Sequence, residues 1–355
     1  MKPGQAHKIR AVRGEGAAAP RSLAILHASE LLTLHGPRGP RTREAASDLG
    51  LLEDGAVYVE GERIVDVGPT TEVLQHHPQA ATTLDASGKV VLPGLVDAHT
   101  HAIFAGSRER EVEWKAQGLS YAEIAARGGG ILHTVRATRG ANEAELVRTG
   151  LDRLLTFISL GTTTVEVKSG YGLRTADELK MLRAAAEAGR VAGVDVVPTF
   201  LGAHAVPPEF EGRPDAYVEL LLSESLEAVA VGRSASFCDV FVDEGYFSAD
   251  QGKRLLEKAS ALGLRPKIHA DELSDTGGAA LSAEVRAVSA DHLLHANEGG
   301  MEAMADAGVI ATLLPAASLA SRMPFADGRR WIAAGVPVAL GTDFNPNCWC
   351  AAMQR

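Results

Sequence analysis

The chain has 355 residues, 46% hydrophobic and 23% charged, with a mean hydropathy of +0.01 and a net charge of −10. This is globular composition, long enough for one large domain and a smaller one. It excludes a membrane helix, which needs ~18 apolar residues in a row. The acidic balance argues against nucleic acid as the main partner, and three cysteines give no disulfide framework, which fits a reducing cytoplasm.

The charge is uneven along the chain. Residues 1–43 carry eight basic and two acidic side chains, a net +6, leaving −16 for the rest. Residues 1–20 have no apolar core for secretion and read as a flexible, solvated leader. Residues 21–92 read as short β segments: SLAILHASELLTL, then GAVYVEGERIVDVG with a hairpin at Glu60-Gly61-Glu62, then TTLDASGKVVL. Between the first two, GPRGPRTREAASD is a polar loop. The expectation is the N-terminal part of a small, sandwich-like β domain.

From Pro93 strands alternate with amphipathic helices, the pattern of parallel βα units. Eight strand candidates occupy 95–101, 162–170, 196–204, 238–244, 265–272, 287–295, 309–315 and 337–344. Thr175-x-x-Glu178 and Ser248-x-x-Gln251 have capping-box spacing. Val147, Leu151, Leu154, Leu155 and Ile158 recur at helical spacing before Gly161, a C-terminal cap candidate. Eight such units over about 250 residues predict a (β/α)8 barrel over 93–355. A doubly wound open sheet competes, but no Gly-x-Gly-x-x-Gly follows a strand.

In a barrel the chemistry sits at the C-terminal strand ends, and metal-ligand residue types recur there. LVDAHTH ends the first strand in His99 and His101, which face one way because strand side chains alternate. The fifth strand carries His269, the sixth His292 and the eighth Asp343. Three imidazoles and a carboxylate suit one Zn²⁺ or Fe²⁺ with an open position for water. Such an ion acidifies water and polarises a carbonyl. Glu272, three residues past His269, is placed to shuttle a proton. Lys168 lies on the second strand, not where a carboxylated lysine bridges two metals, and reads as a salt-bridge partner. Cys348-x-Cys350 has no second pair and reads as structural or incidental.

HTH after PGLVDAH, followed by HADE, SADH and GTDFNP, resembles the amidohydrolase superfamily. AGSRERE, GGGILHTVRATR, TTTVEVKSGYGL, PTFLGAHAVPPEF and TDFNPN resemble more closely its imidazolonepropionase family, over nearly the whole chain. The resemblance implies hydrolytic ring opening of 4-imidazolone-5-propanoate to N-formimidoyl-glutamate in histidine degradation. It implies a metal held by His99, His101, His269 and Asp343, and a homodimer. By the same analogy Arg108, Tyr171, His204 and Glu272 contact substrate and Asn345 lies near the product. Arg108 would fork onto a carboxylate, and Tyr171 and His204 would bond ring or carboxylate oxygens. His292 would donate to the developing oxyanion, and Asp343 or Glu272 would take the proton of the attacking water. Glu272 would then protonate the leaving nitrogen.

The chain departs from the family at Asn347-Cys348, where many members have Gly-Thr, so these two are left out of the binding set. It also stops at Arg355, where the family continues, so a truncated, marginally stable chain with unpaired sheet edges is expected. A deaminase using the same site on a heterocyclic amine, and an inactive fragment, are the competing functions.

Overall fold

The computed structural model describes residues 21–353 apart from Pro37 and Ser120, so the expected leader at 1–20 lies outside the described residues. Two compact units emerge. Of the described residues, the smaller takes 21–36 and then Asp48–Pro93; the larger takes Arg38–Ser47 and those from Gly94 to residue 353. The polar loop therefore groups with the larger unit. Its 3-10 turn, Arg43–Ser47, lies within that unit, where the Arg43 guanidinium packs on Gly335.

The smaller unit is a mixed five-stranded sheet. Its strands are β1 (Ser22–Leu32), β2 (Leu51–Glu60), β3 (Arg63–Pro69), β4 (Thr82–Asp85) and β5 (Val90–Val91). β2 and β3 form the expected hairpin, antiparallel with Glu60 opposite Arg63. β1 pairs with β2 antiparallel and with β4 and β5 in parallel. Two small apolar clusters form in this unit. The register of β1 shifts at His27, whose φ is 58°, and this bulge puts Ala24 and Leu26 in one cluster and Ala28 in the other.

The larger unit holds eight parallel strands, paired in chain order: β6 (Leu95–Thr100), β7 (Thr162–Lys168), β8 (Asp195–Ala203), β9 (Phe237–Val242), β10 (Arg265–Ala270), β11 (Ser289–His292), β12 (Ile310–Leu313) and β13 (Val338–Leu340). Each falls on a sequence candidate, because buried parallel strands leave short apolar runs between long amphipathic ones. The seam between last and first strands is closed by residues just past β13. Asp343 N donates to His99 O at 2.9 Å and His101 N to Phe344 O at 2.8 Å. Thr342 gives Asp97 both its amide, at 2.9 Å, and its hydroxyl, at 2.7 Å. Burial nonetheless pushes the Asp97 carboxyl up to about 6. Gly341 permits this approach, since a Cβ there would lie 2.9 Å from His99 Cβ.

Helix ends are partly as the sequence predicts. Ser248 and Gln251 form a reciprocal capping box, and Asn142 and Glu145 form another. Thr175 and Glu178 do not. The helix Thr175–Ala192 is preceded by Arg174, without a side-chain cap, while Glu178 is buried and serves a loop described below. On Glu143–Ser159 the buried stripe is Leu146, Gly150, Leu154 and Phe157, whereas Leu155 and Ile158 face outward. Gly161 does end that helix, at φ 87°. No helix among the described residues is long and apolar enough to cross a membrane.

Candidate metal centre and active site

Three histidine side chains converge at the C-terminal ends of β6 and β10. Ligand atoms of His99, His101 and His269 all lie within 4.8 Å of one another, and all three rings are buried. Asp343 Oδ1 stands 3.5 Å from His99 Nε2 and 3.4 Å from His101 Nε2. Donors on a tetrahedron of about 2.1 Å bonds stand about 3.4 Å apart, so this spacing suits a first-row divalent ion.

The chemistry of the donors fits as well. His99 Nε2, His269 Nε2 and Asp343 Oδ1 are buried without a hydrogen-bond partner, an arrangement that is costly unless a ligand satisfies it. Burial holds His99 and His101 well below the ordinary imidazole range, so both are neutral and able to coordinate. Burial likewise pushes the Asp343 carboxyl up to about 7, a cost that an adjacent cation relieves.

Carboxylates face the outer ring nitrogens. Asp291 Oδ2 lies 2.7 Å from His99 Nδ1, and Asp239 Oδ2 lies 3.0 Å from His269 Nδ1. At His99 the carboxylate accepts from Nδ1, which turns the Nε2 lone pair inward, whereas His269 Nδ1 stands at ion-pair distance from Asp239 without a hydrogen bond. Lys168 is a salt-bridge partner as the sequence predicts, and fully buried: Nζ is 2.7 Å from Asp239, 2.8 Å from Glu166 and 3.6 Å from Asp291. Burial works against its charge, and Asp239, Glu166 and Asp291 outweigh burial, holding its proton above the usual lysine range.

Above this floor opens a cavity of about 360 Å³, lined among others by His101, Arg108, Tyr171, His204, Glu272, His292, Asp343 and Asn345. Every sequence-predicted site residue thus lies at the cavity except His99, which is buried beneath it. Glu272 has its backbone N–H on Asp243 Oδ2, at 2.8 Å, and its Oε2 3.6 Å from His292 Nε2. Burial, then the charges of Asp343 and Asp243, push the Glu272 carboxyl up to about 8. Near neutral pH it carries a proton it can give.

Two expected roles change in detail. The Arg108 fork is occupied: Nε and Nη2 donate to Glu111 Oε1 and Oε2 at 2.8 and 2.7 Å, so a bidentate grip on a ligand through that edge is excluded. Burial pushes His204 down to about 3, and its Nδ1 lies 3.0 Å from Gly170 O. The neutral ring therefore donates from Nδ1 and leaves Nε2 as an acceptor, suited to a ligand N–H rather than a carboxylate oxygen.

The Gly170–Leu173 loop that presents Tyr171 hangs on Glu178. This buried carboxylate accepts from the amides of Gly170, Gly172 and Leu173 at 2.8, 2.8 and 2.6 Å. Gly170 sits at φ 99°, and a Cβ there would lie 2.9 Å from His204 Nδ1, so only glycine fits. At the outer rim Lys115 donates to Asn347 Oδ1 and, at 3.3 Å, to Ala320 O. Asn347 therefore does reach the cavity, though the sequence reading leaves it out. Asp239, Asp291 and Glu166 are also missed there. The signal in SADH and CDVFVDE is an acid alternating with apolar residues on a buried strand. Cys348 is buried with its thiol 3.8 Å from Thr342 O, a packing role.

A parallel barrel with this histidine and aspartate set at its strand ends defines a metal-dependent hydrolase of the amidohydrolase kind. Solved structures of similar fold are atrazine chlorohydrolase from Arthrobacter aurescens TC1, complexed with zinc, and ochratoxinase from A. niger. The first aligns with a TM-score of 0.59 over 92% of this chain and 72% of its own. The second aligns with 0.61 over 93% and 78%; at 18% identity both speak to the fold alone. Sequence relatives are far nearer. The imidazolonepropionase of Symbiobacterium thermophilum is 51% identical over 339 residues, 94% of this chain and 79% of that one. That of Geobacillus kaustophilus is 48% identical over 330 residues, 92% of this chain and 78% of that one. A family model, the imidazolonepropionase-like composite domain of bacteria, matches residues 55–80. The chain belongs to the imidazolonepropionase family.

Proposed function

We propose that the chain hydrolyses the cyclic amide of 4-imidazolone-5-propanoate to N-formimidoyl-L-glutamate, with His99, His101, His269 and Asp343 holding one Zn²⁺ or Fe²⁺. Held there, a divalent ion supplies acidified water and polarises the amide carbonyl. The chain's own residues do the rest. His292 donates to the carbonyl oxygen as its carbon becomes tetrahedral and negative charge develops on the oxygen. Asp343 takes the proton of the attacking water, and Glu272, protonated up to about pH 8, gives its proton to the ring nitrogen as the C–N bond breaks. The ring nitrogen is the leaving group, and the carbonyl carbon remains in the product as its new carboxylate. His204 Nε2 accepts from a ring N–H, Tyr171 orients the ring, and Lys115 with Arg322 gives the rim its positive charge for the propionate, the Arg108 charge being matched by Glu111.

The observation that carries this reading is the convergence of four metal donors beneath a glutamic acid whose environment keeps it protonated. The test is the product formed by the Zn²⁺- and Fe²⁺-loaded protein from freshly made imidazolone propionate. Formimidoyl-glutamate without free ammonia is expected. Ammonia release from a heterocyclic amine, with the ring left closed, would favour the deaminase instead.

A further inference from the structure

Lys168 does not line the cavity, so it touches no substrate. It is nevertheless a fully buried ammonium, set among three carboxylates from three strands. Buried ion pairs add little net stability over apolar packing, so stability alone is a weak reason for such a cluster. The rings beside it supply a better one.

We propose that Lys168 is a positioning residue for the metal centre, clamping Asp239 and Asp291 so that they fix the imidazoles of His269 and His99. Asp239 Oδ2 lies 2.7 Å from the ammonium and 3.0 Å from His269 Nδ1. Its Oδ1 accepts from the His269 backbone amide at 3.1 Å, so one carboxylate holds both ends of that residue. Asp291 Oδ2 lies 2.7 Å from His99 Nδ1 and 3.6 Å from the same ammonium, with Lys267 Nζ 3.3 Å away on another side. One cation on β7 thus ties an acid on β9 to an acid on β11, and through them a ligand on β10 to a ligand on β6. Without it the two aspartates and Glu166 repel one another across a buried space; the His99 ring loses the acceptor that aims Nε2 inward, and His269 loses the carboxylate that holds its backbone amide and faces its ring.

The inference rests on the reading that this site holds a divalent ion. Its test is the dissociation constant for Zn²⁺, measured by competition with a chromophoric chelator, for the native chain and for Lys168→Met. The variant should bind zinc roughly 10–100-fold more weakly. Excess metal should restore much of its kcat without altering KM for the imidazolone. Unchanged zinc affinity with a lowered Tm would reduce Lys168 to a structural ion pair, and tighter binding would make it a simple opposing charge; either overturns the proposal. Should the variant fail to fold, ¹⁵N-histidine spectra of the native, metal-free protein decide: His99 must carry its proton on Nδ1, and an Nε2–H form of it overturns the clamp. A native chain that binds no zinc would instead defeat the functional reading itself.

Discussion

The floor and the rim of the cavity are built differently. The floor comes from barrel strands and the residues that end them: His99, His269 and Asp343, braced by Asp239, Asp291 and Lys168, all buried. The rim comes from short helices and loops: Arg108 paired with Glu111, Lys115 with Asn347, and Arg322, whose Nη1 donates to Lys115 O at 3.0 Å. Strand geometry is over-determined by the ladder, whereas a loop keeps only the bonds its own side chains make. Damage to the floor should therefore abolish metal binding and chemistry together, and damage to the rim should alter substrate affinity while the metal stays.

The largest effect is expected at the floor. His269→Ala should lose both bound metal and turnover, read by metal analysis of the purified variant; full metal occupancy would break the assignment. Glu272→Gln should keep the metal and lose about 10²–10⁴-fold in kcat. Its environment raises the carboxyl to about 8, so the acid form persists below that pH and the native rate should fall as pH rises through about 8; the Gln variant should lack this limb. The native state binds a proton that the unfolded chain has released, so this group's contribution falls as pH rises from its ordinary value toward 8, and urea midpoints of the variant should depend less on pH over that window.

Glu178→Gln lies between floor and rim. It weakens the acceptors for three loop amides and should cost about 1–3 kcal/mol of stability, with a lower kcat/KM because Tyr171 and His204 lose their fixed loop. Tyr171→Phe, at the rim, should shift KM by only about fivefold, the worth of one hydrogen bond of about 1 kcal/mol. Metal content should not change. A loss of zinc in the Tyr171 variant would dissolve the distinction between the two walls.

Much of the barrel was legible because burial on both faces makes its strands short and apolar. The histidines stood out because a polar pair ending such a strand has few structural uses. The bracing acids were not legible. In CDVFVDE, Asp239 and Asp243 alternate with apolar residues, which reads equally as a strand with one wet face; only closure of the barrel turns Asp239 inward. Glu178 was misread because capping-box spacing is local, while its partners are the loop that precedes the helix. The helix Glu143–Ser159 buries Leu146 and Phe157 rather than Leu155 and Ile158, because two apolar stripes share that helix and the sequence does not rank them. Lys115 and Asn347, 232 residues apart, meet only through the fold.

The seam between the first and last strands has a consequence for biosynthesis. Asp97 and Thr342, which join there, are 245 residues apart. At 5–20 residues per second a ribosome needs roughly 10–50 s to make the intervening chain. Throughout that interval the nascent His99–His101 pair has neither Asp343 nor the closed wall that buries it. A two-imidazole site exposed to water discriminates poorly among first-row ions, which then follow the ordinary affinity order. On the proposed metal assignment, selection among these ions would fall to the completed barrel, after translation, when the fourth donor and the bracing acids are all in place.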